Sequence, residues 1–158
     1  MKTSAAKILP LKKLLTLREL WRWERRAVVF TNGVFDVLHA GHVKVLEKAK
    51  AQGDLLVVGI NSDASVRRLS KAPGRPVNKW RDRAEIVAAL GCVDAVVAFE
   101  DATPERLMSQ LKPDVHVKGG DYKPADLPES KYAGRVVIIP LKTGYSTTGL
   151  IKRLQGKR

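Results

Sequence analysis

Apolar residues fall along the chain in short blocks with two different periods. Five blocks are continuous and rich in β-branched residues: Ala27 to Thr31, Leu55 to Ile60, Ala95 to Phe99, Val115 to Val117 and Val136 to Ile139. Continuous apolar runs suit strands buried on both faces, so these blocks predict the strands of a parallel sheet. Elsewhere the apolar positions recur every three or four residues. Leu14, Leu15, Leu17, Leu20, Trp21 and Trp23 predict a first helix, with Arg18, Arg22, Arg25 and Arg26 on its wet side. Val43, Leu46 and Ala49 predict a second, after Gly41, that runs to Gln52 and stops at Gly53. Asn61, Ser62 and Asp63 can cap a third, from Ala64 to Leu69. Pro73, Gly74 and Pro76 make Lys71 to Asn78 a loop. Trp80 to Leu90 predicts a helix with Ala84, Val87, Ala88 and Leu90 facing inward. Thr103 caps the next, with Pro104 in its first turn. Gly119 to Gly134 is polar and irregular, and Ser146-Thr147-Thr148 opens a final helix to Leu154.

After the first helix, strands and helices alternate. That order predicts an α/β fold with one doubly wound, five-stranded parallel sheet and helices on both faces. Ligands of such sheets bind beyond the carboxyl ends of the strands. The loops there hold Gly33 to His42, Asp63, Lys118 to Asp121, and Ser146 to Thr148. Residues 1–13 read as a basic N-terminal tail, with Met1 to Pro10 loosely held, and residues 14–158 as a single domain.

Composition narrows the class. The chain is 44% hydrophobic and 28% charged, as a globular protein with a real core should be. Its one cysteine, Cys92, excludes an internal disulfide and a cysteine-only zinc site, and fits a small buried residue in a reducing compartment. No apolar run reaches the roughly 20 residues of a membrane span. The basic N-terminus lacks the apolar stretch of a secretory signal, so the expected location is cytoplasmic. The net charge of +13 is concentrated at the two ends. Nucleic acid is one partner that such polarity admits. The nine Phe, Trp and Tyr do not interleave with the basic residues as a single-strand binder needs, which favours attraction for small anionic substrates.

The stretch from Val28 to His42, VVFTNGVFDVLHAGH, carries the chemistry. Thr31, Asn32 and Gly33 break the strand, and Asp36, His39 and His42 sit in the break. A strand, a glycine turn and a helix N-terminus aim backbone N–H groups and the helix dipole at one place, which suits phosphate. Neither the dinucleotide fingerprint G-x-G-x-x-G nor the P-loop G-x-x-x-x-G-K-[ST] is present. Instead His39 and His42, three residues apart, can both reach one phosphoryl group, and Gly41 lets that group approach the backbone. Two other uses of the pair stand beside this one. Zinc ligation would draw on His116 or Asp36, although the H-E-x-x-H spacing is absent. Alternatively, both histidines are structural.

The segment VFTNGVFDVLHAGH resembles the signature of the nucleotidyltransferase superfamily with an HxGH motif, which includes the cytidylyltransferases. The likeness runs from Ala27 to Leu154 and implies a Rossmann-like nucleotidyltransferase fold. GDLLVVGINSDASVRRL, GRPVN, FEDATPERL, DVHVKGGDY and GYSTTGLIKRL are similar, in that order, to the adenylyltransferase domains of bacterial ADP-heptose synthesis. Those domains are often fused behind a sugar kinase, so this chain resembles the free-standing form. The resemblance implies transfer of AMP from ATP to D-glycero-β-D-manno-heptose 1-phosphate, with Mg²⁺, for lipopolysaccharide core synthesis. It also implies a homodimer.

The same resemblance implies residue roles. Gly33, Val34 and Phe35 lend backbone to the nucleotide phosphates, beside Thr31, Asn32 and Gly41. His39 and His42 stabilise the α-phosphate and the departing pyrophosphate, and Arg83 contacts the triphosphate. Lys118, Gly119 and Gly120 line the nucleotide pocket. Ser146, Thr147 and Thr148 hold the β- and γ-phosphates, which a hydroxyl-bearing helix N-cap is built to do. Asp36, Asp63 and Asp121 lie toward the sugar or acceptor. Arg75 of GRPVN is a further phosphate or substrate contact, or a solvated loop arginine. No protein ligand for the metal is implied, since Mg²⁺ rides on the nucleotide phosphates. Some cytidylyltransferases carry Arg-Thr-Glu-Gly before their STT. Leu141-Lys142-Thr143-Gly144-Tyr145 has no arginine, which speaks against CTP and leaves Lys142 as a point charge there. Three other functions fit the residues less fully: a cytidylyltransferase for glycerol 3-phosphate, a nucleotide sensor, and a nucleic-acid module using the basic termini.

Overall fold

The computed structural model describes residues 3–69, 74–140 and Gly149. In chain order the elements are α1 (Ser4–Lys7), α2 (Leu11–Trp23), β1 (Val28–Gly33), α3 (Ala40–Lys50), β2 (Leu55–Asn61) and α4 (Asp63–Leu69). They continue as α5 (Trp80–Ala89), β3 (Ala95–Phe99), α6 (Glu105–Leu111), β4 (Val115–Gly119) and β5 (Arg135–Ile139). Two 3₁₀ turns, Pro124–Asp126 and Pro128–Tyr132, join β4 to β5. The five strands form one parallel sheet in the order β3-β2-β1-β4-β5. The expected α/β architecture is therefore present. The final helix expected from Ser146 lies outside the described residues. Among those residues no helix is long and apolar enough to cross a membrane.

Alternation along each strand explains the two layers. Val29, Leu56, Val58, Val96, Val115 and Val117 meet Leu46 and Ala49 of α3 and Ala84, Val87 and Ala88 of α5. Val28, Phe30, Leu55, Val57, Val97 and Phe99 meet Leu14 and Trp21 of α2 and Leu107, Met108 and Leu111 of α6. Both faces of the central strands are buried over most of their length, so apolar runs are what the middle of this sheet demands.

The chain moves outward from β1 to β3, then returns to place β4 on the other side of β1. This is the switch point at which such sheets bind ligands. The β1–β2 ladder runs from Val28↔Leu55 to Gly33↔Ile60, and β4–β5 from Val115↔Arg135 to Gly119↔Ile139. Between β1 and β4 only Val29↔Val115 and Phe30↔His116 are paired. The ladder stops there, and a crevice begins.

Three local expectations are corrected. Residues 3–10 are not loosely held: α1 forms, Ile8 bridges Val96 in parallel, and the Leu9 amide donates to Val96 O at 2.8 Å. An edge strand offers unpaired backbone groups, and this segment covers some of them. Arg18 is not on the wet side of its helix. It is 3% exposed, and its guanidinium donates to Leu111 O (3.1 Å), Lys112 O (2.8 Å) and Asp114 Oδ1 (3.2 Å). Lys112 turns left-handed (φ +45°) after α6, so the last carbonyls of that helix need a donor. Finally, β1 continues through Asn32 and Gly33, which the sequence reading placed in the break.

Candidate active site

β1 ends at Gly33, and the chain must turn at once to start α3. Phe35 does so in the left-handed region (φ +49°), a strained conformation for a bulky residue. Its ring folds back over Gly33, where an added Cβ would lie 3.0 Å from Phe35 Cε2. Glycine is needed there for that close approach. His39 follows as the N-cap of α3 in extended conformation, with His42 in the first turn.

The two imidazoles stack with centroids 3.9 Å apart and planes 25° apart. The His39 amide donates to His42 Nδ1 at 3.3 Å. An Nδ1 that accepts leaves the proton of neutral His42 on Nε2. Burial, then the neighbouring His39, push the His42 pKa down to about 4. His39 is also lowered, chiefly by burial. Near neutral pH the pair thus offers N–H donors without carrying charge of its own. The phenyl ring of Phe35 sits 5.3 Å from the His42 ring and walls it on one side.

A cleft of about 500 Å³ opens over the carboxyl ends of β1, β2 and β4. Of the sequence-assigned residues, Thr31, Asn32, Gly33, Val34, Phe35, His39, Gly41, His42, Lys118 and Gly119 line it. Lys118 spans the crevice and donates to Asn32 Oδ1 at 3.0 Å. Val45, Asn61, Leu69, Ala102 and Tyr122 also line the cleft, without having been singled out from the sequence. Asn61 ends β2 and Ala102 lies just beyond β3, so the rule that placed Gly33 and Lys118 could have found them. Tyr122 directly follows the assigned Gly119-Gly120-Asp121.

The other assigned residues that the structure describes do not line the cleft. Arg83 is fully buried and does not line the cleft. Its guanidinium donates to Asn78 O (3.0 Å), Val34 O (2.6 Å), Asn61 O (2.9 Å) and Asp63 Oδ1 (2.7 Å). This corrects the expected triphosphate contact: the planar fork is committed to joining three loops. Partial burial works against ionisation of Asp63, but the hydrogen bonds from Arg83 and the Trp80 backbone and the charges of Arg83 and Arg67 together outweigh it and hold that carboxyl below the usual range. Asp36 is also buried, at 2% exposed. Its Oδ1 accepts from the Asn78 amide (3.0 Å), Asn78 Nδ2 donates to Asp36 O (2.6 Å), and Arg75 Nε pairs with Oδ2 at 2.9 Å. In this structure Asp36 and Arg75 face each other and fasten the loop before α5 to the turn after β1. Gly120 is buried, with its amide on Ile139 O at 3.0 Å, and Asp121 is exposed; neither lines the cleft. Ser146, Thr147 and Thr148 fall outside the described residues. His116 is buried beneath β4 with Nδ1 3.1 Å from Ser130 Oγ, away from the cleft. Among the described residues no group of three or more His, Cys, Asp and Glu could hold a metal ion.

The chain belongs to the cytidylyltransferase-like family, whose profile matches residues 30–151. It is 54% identical over 147 residues to a "bifunctional protein HldE" of Syntrophotalea carbinolica, and that match covers 88% of this chain and 30% of the relative. A protein of the same description from Helicobacter pylori is 49% identical over 149 residues, with 94% and 31% covered. The chain therefore spans about a third of the length of these curated relatives. Among solved structures, a lipopolysaccharide core biosynthesis protein of Thermoplasma volcanium superposes with a TM-score of 0.62 at 28% identity. That match covers 77% of this chain and 99% of the other.

Proposed function

We propose that the chain is an adenylyltransferase that moves AMP from ATP to D-glycero-β-D-manno-heptose 1-phosphate, yielding ADP-heptose and pyrophosphate in the cytoplasm for lipopolysaccharide core synthesis. The observation that carries the transfer is the stacked His39–His42 pair at the start of α3, opening on a cleft at the switch point of the sheet. The heptose is supported by the motif order in the sequence and by the names of the similar proteins.

In this reading a phosphate oxygen of the sugar attacks the α-phosphorus of ATP in line, and the bond to the bridging oxygen of pyrophosphate breaks. A phosphate is already a nucleophile, so no group on the protein has to form a covalent intermediate. The protein contributes position and charge stabilisation. The neutral Nε2–H of His42 donates to a phosphoryl oxygen as its charge grows, without first taking up a proton. Lys118 supplies the positive charge on the opposite wall. Ser146 to Thr148 add hydroxyls for the outer phosphates. The described cleft lining holds no carboxylate, so Mg²⁺ fits as an ion carried by the nucleotide's own phosphates, where it would neutralise part of their charge.

Pyrophosphate release with ATP or CTP, each with β-heptose 1-phosphate or glycerol 3-phosphate, tests this reading. Release confined to ATP with the heptose is expected. Release with CTP and glycerol 3-phosphate would replace the substrate, and binding of ATP with no release for any acceptor would replace catalysis by sensing. His39→Ala should lower turnover roughly 10²–10³-fold, the scale for losing one oxyanion-type donor. Near-normal turnover would remove His39 from the mechanism.

A further inference from the structure

Glu129 lies on the 3₁₀ turn Pro128–Tyr132, between β4 and β5, and is 3% exposed. Nothing in the sequence motifs singles it out. Its Oε1 is 4.0 Å from Lys118 Nζ. Ser130 next to it meets His116 Nδ1 at 3.1 Å, and Lys131 Nζ meets Glu105 Oε1 at 2.7 Å. The turn is therefore fastened to β4 and to α6, and the carboxylate is held in place against Lys118.

Lys118 is the one member of this cluster that also lines the cleft. Burial favours its neutral amine and holds its pKa below the ordinary lysine range, while Glu129 opposes that fall. The other described groups facing it add little charge. Asn32 Oδ1 on β1 accepts at 3.0 Å. The Tyr122 ring lies 5.6 Å from Nζ. His116, two residues earlier on β4, is kept neutral by burial, with a pKa of about 4. A carboxylate near 4 Å in a dry setting is screened far less than one on the surface.

We propose that Glu129 is a positioning residue of the nucleotide site, whose buried carboxylate keeps Lys118 protonated and directed across the crevice toward the phosphates. This rests on reading the cleft as a nucleotide site. The working cation is then the Lys118–Glu129 pair, built from β4 and the turn that follows it.

The test is the pH dependence of ATP affinity, by calorimetry on the full chain from pH 7 to 10, with circular dichroism as a fold control. The parent should lose affinity on an alkaline limb as Lys118 deprotonates. Glu129→Gln should move that limb down by about one pH unit, so that ATP binds roughly tenfold more weakly at a pH on the limb. Glu129→Asp, which keeps the charge at a longer distance, should shift it in the same direction by less, and it decides the matter if Glu129→Gln does not fold. Lys118→Arg should abolish the limb. Superimposable profiles for the parent and a folded Glu129 variant would overturn the proposal, as would a limb that survives in Lys118→Arg. No binding of ATP by the parent at any pH would instead overturn the functional reading, and this inference with it.

Discussion

Arg83, on α5 packed against β2 and β3, and Lys118, on β4, belong to different halves of the fold, and the family resemblance assigns both to the nucleotide. The structure uses them in opposite ways. Arg83 spends its guanidinium on four acceptors of the protein itself, from the turn after β1, the end of β2, the start of α4 and the segment before α5. Lys118 makes one hydrogen bond, to Asn32, and has a carboxylate at 4.0 Å and a face on the cleft. A planar fork with five donors suits the joining of several carbonyls, while a mobile ammonium suits a ligand that comes and goes. One cation builds the frame and the other remains available to whatever enters it.

The strongest way to break this contrast is Arg83→Ala. It would leave three carbonyls and the Asp63 carboxylate facing an empty space, and should cost about 3–5 kcal/mol in a denaturant melt. Arg83→Lys should recover little, because one ammonium cannot reach all four acceptors. An Arg83→Ala protein that melts like the parent yet loses ATP affinity would return Arg83 to the role of ligand contact.

Acid should separate the two sides next. His116 on the Lys118 side has a folded pKa near 4 against about 6.5 unfolded, so between those values the unfolded chain binds more protons. Stability is then full above about pH 6.5 and falls as pH drops toward 4, by up to about 2–3 kcal/mol for His116 alone. Asp63, paired with Arg83, keeps its contribution through that window, since its carboxyl is lowered below the ordinary range and the contribution is lost only in stronger acid. His116→Asn should reduce the slope between pH 6.5 and 4, leaving the part that His42, with its own pKa of about 4, contributes; an unchanged slope would remove His116 as a source.

The smallest of the three effects concerns Lys118. Lys118→Met should raise the KM for ATP roughly 10- to 100-fold, as expected for one hydrogen bond to a charged group, with a smaller change in kcat and a smaller loss in the melt than Arg83→Ala, since only Glu129 and Asn32 lose a partner. A large loss of stability instead would make Lys118 part of the frame, as Arg83 is.

Much of this was legible in the residues. The two-sided sheet follows from uninterrupted Val, Leu and Ile runs, and the turn after β1 is recognisable from glycine followed by two histidines at a helix start. What escaped was any property that depends on a distant partner. Arg18 sits in a helical pattern with other arginines, and the carbonyls at the end of α6 together with the Asp114 carboxylate explain why it is buried. Arg83 and Asp63 are 20 residues apart, and nothing local states that they meet. Asp36 and Arg75 look like ligands because charged loop residues usually face water or substrate, whereas here each has the other. Residues 3–10 look like a tail because they are too few to show a helical or strand period before the helix at Leu14, yet one bridge from Ile8 and one amide from Leu9 fix them to β3.

The short β1–β4 ladder has a thermodynamic consequence. Every other seam of the sheet is stitched along nearly its whole length, while this one stops at Phe30↔His116, with the Lys118–Asn32 side-chain bond reaching across beyond it. The seam that opens to make room for a ligand is therefore also the least reinforced line through the molecule. An occupant that touches both strands supplies the rungs the backbone omits, so its affinity and the cohesion of the two half-sheets are two readings of one linked equilibrium.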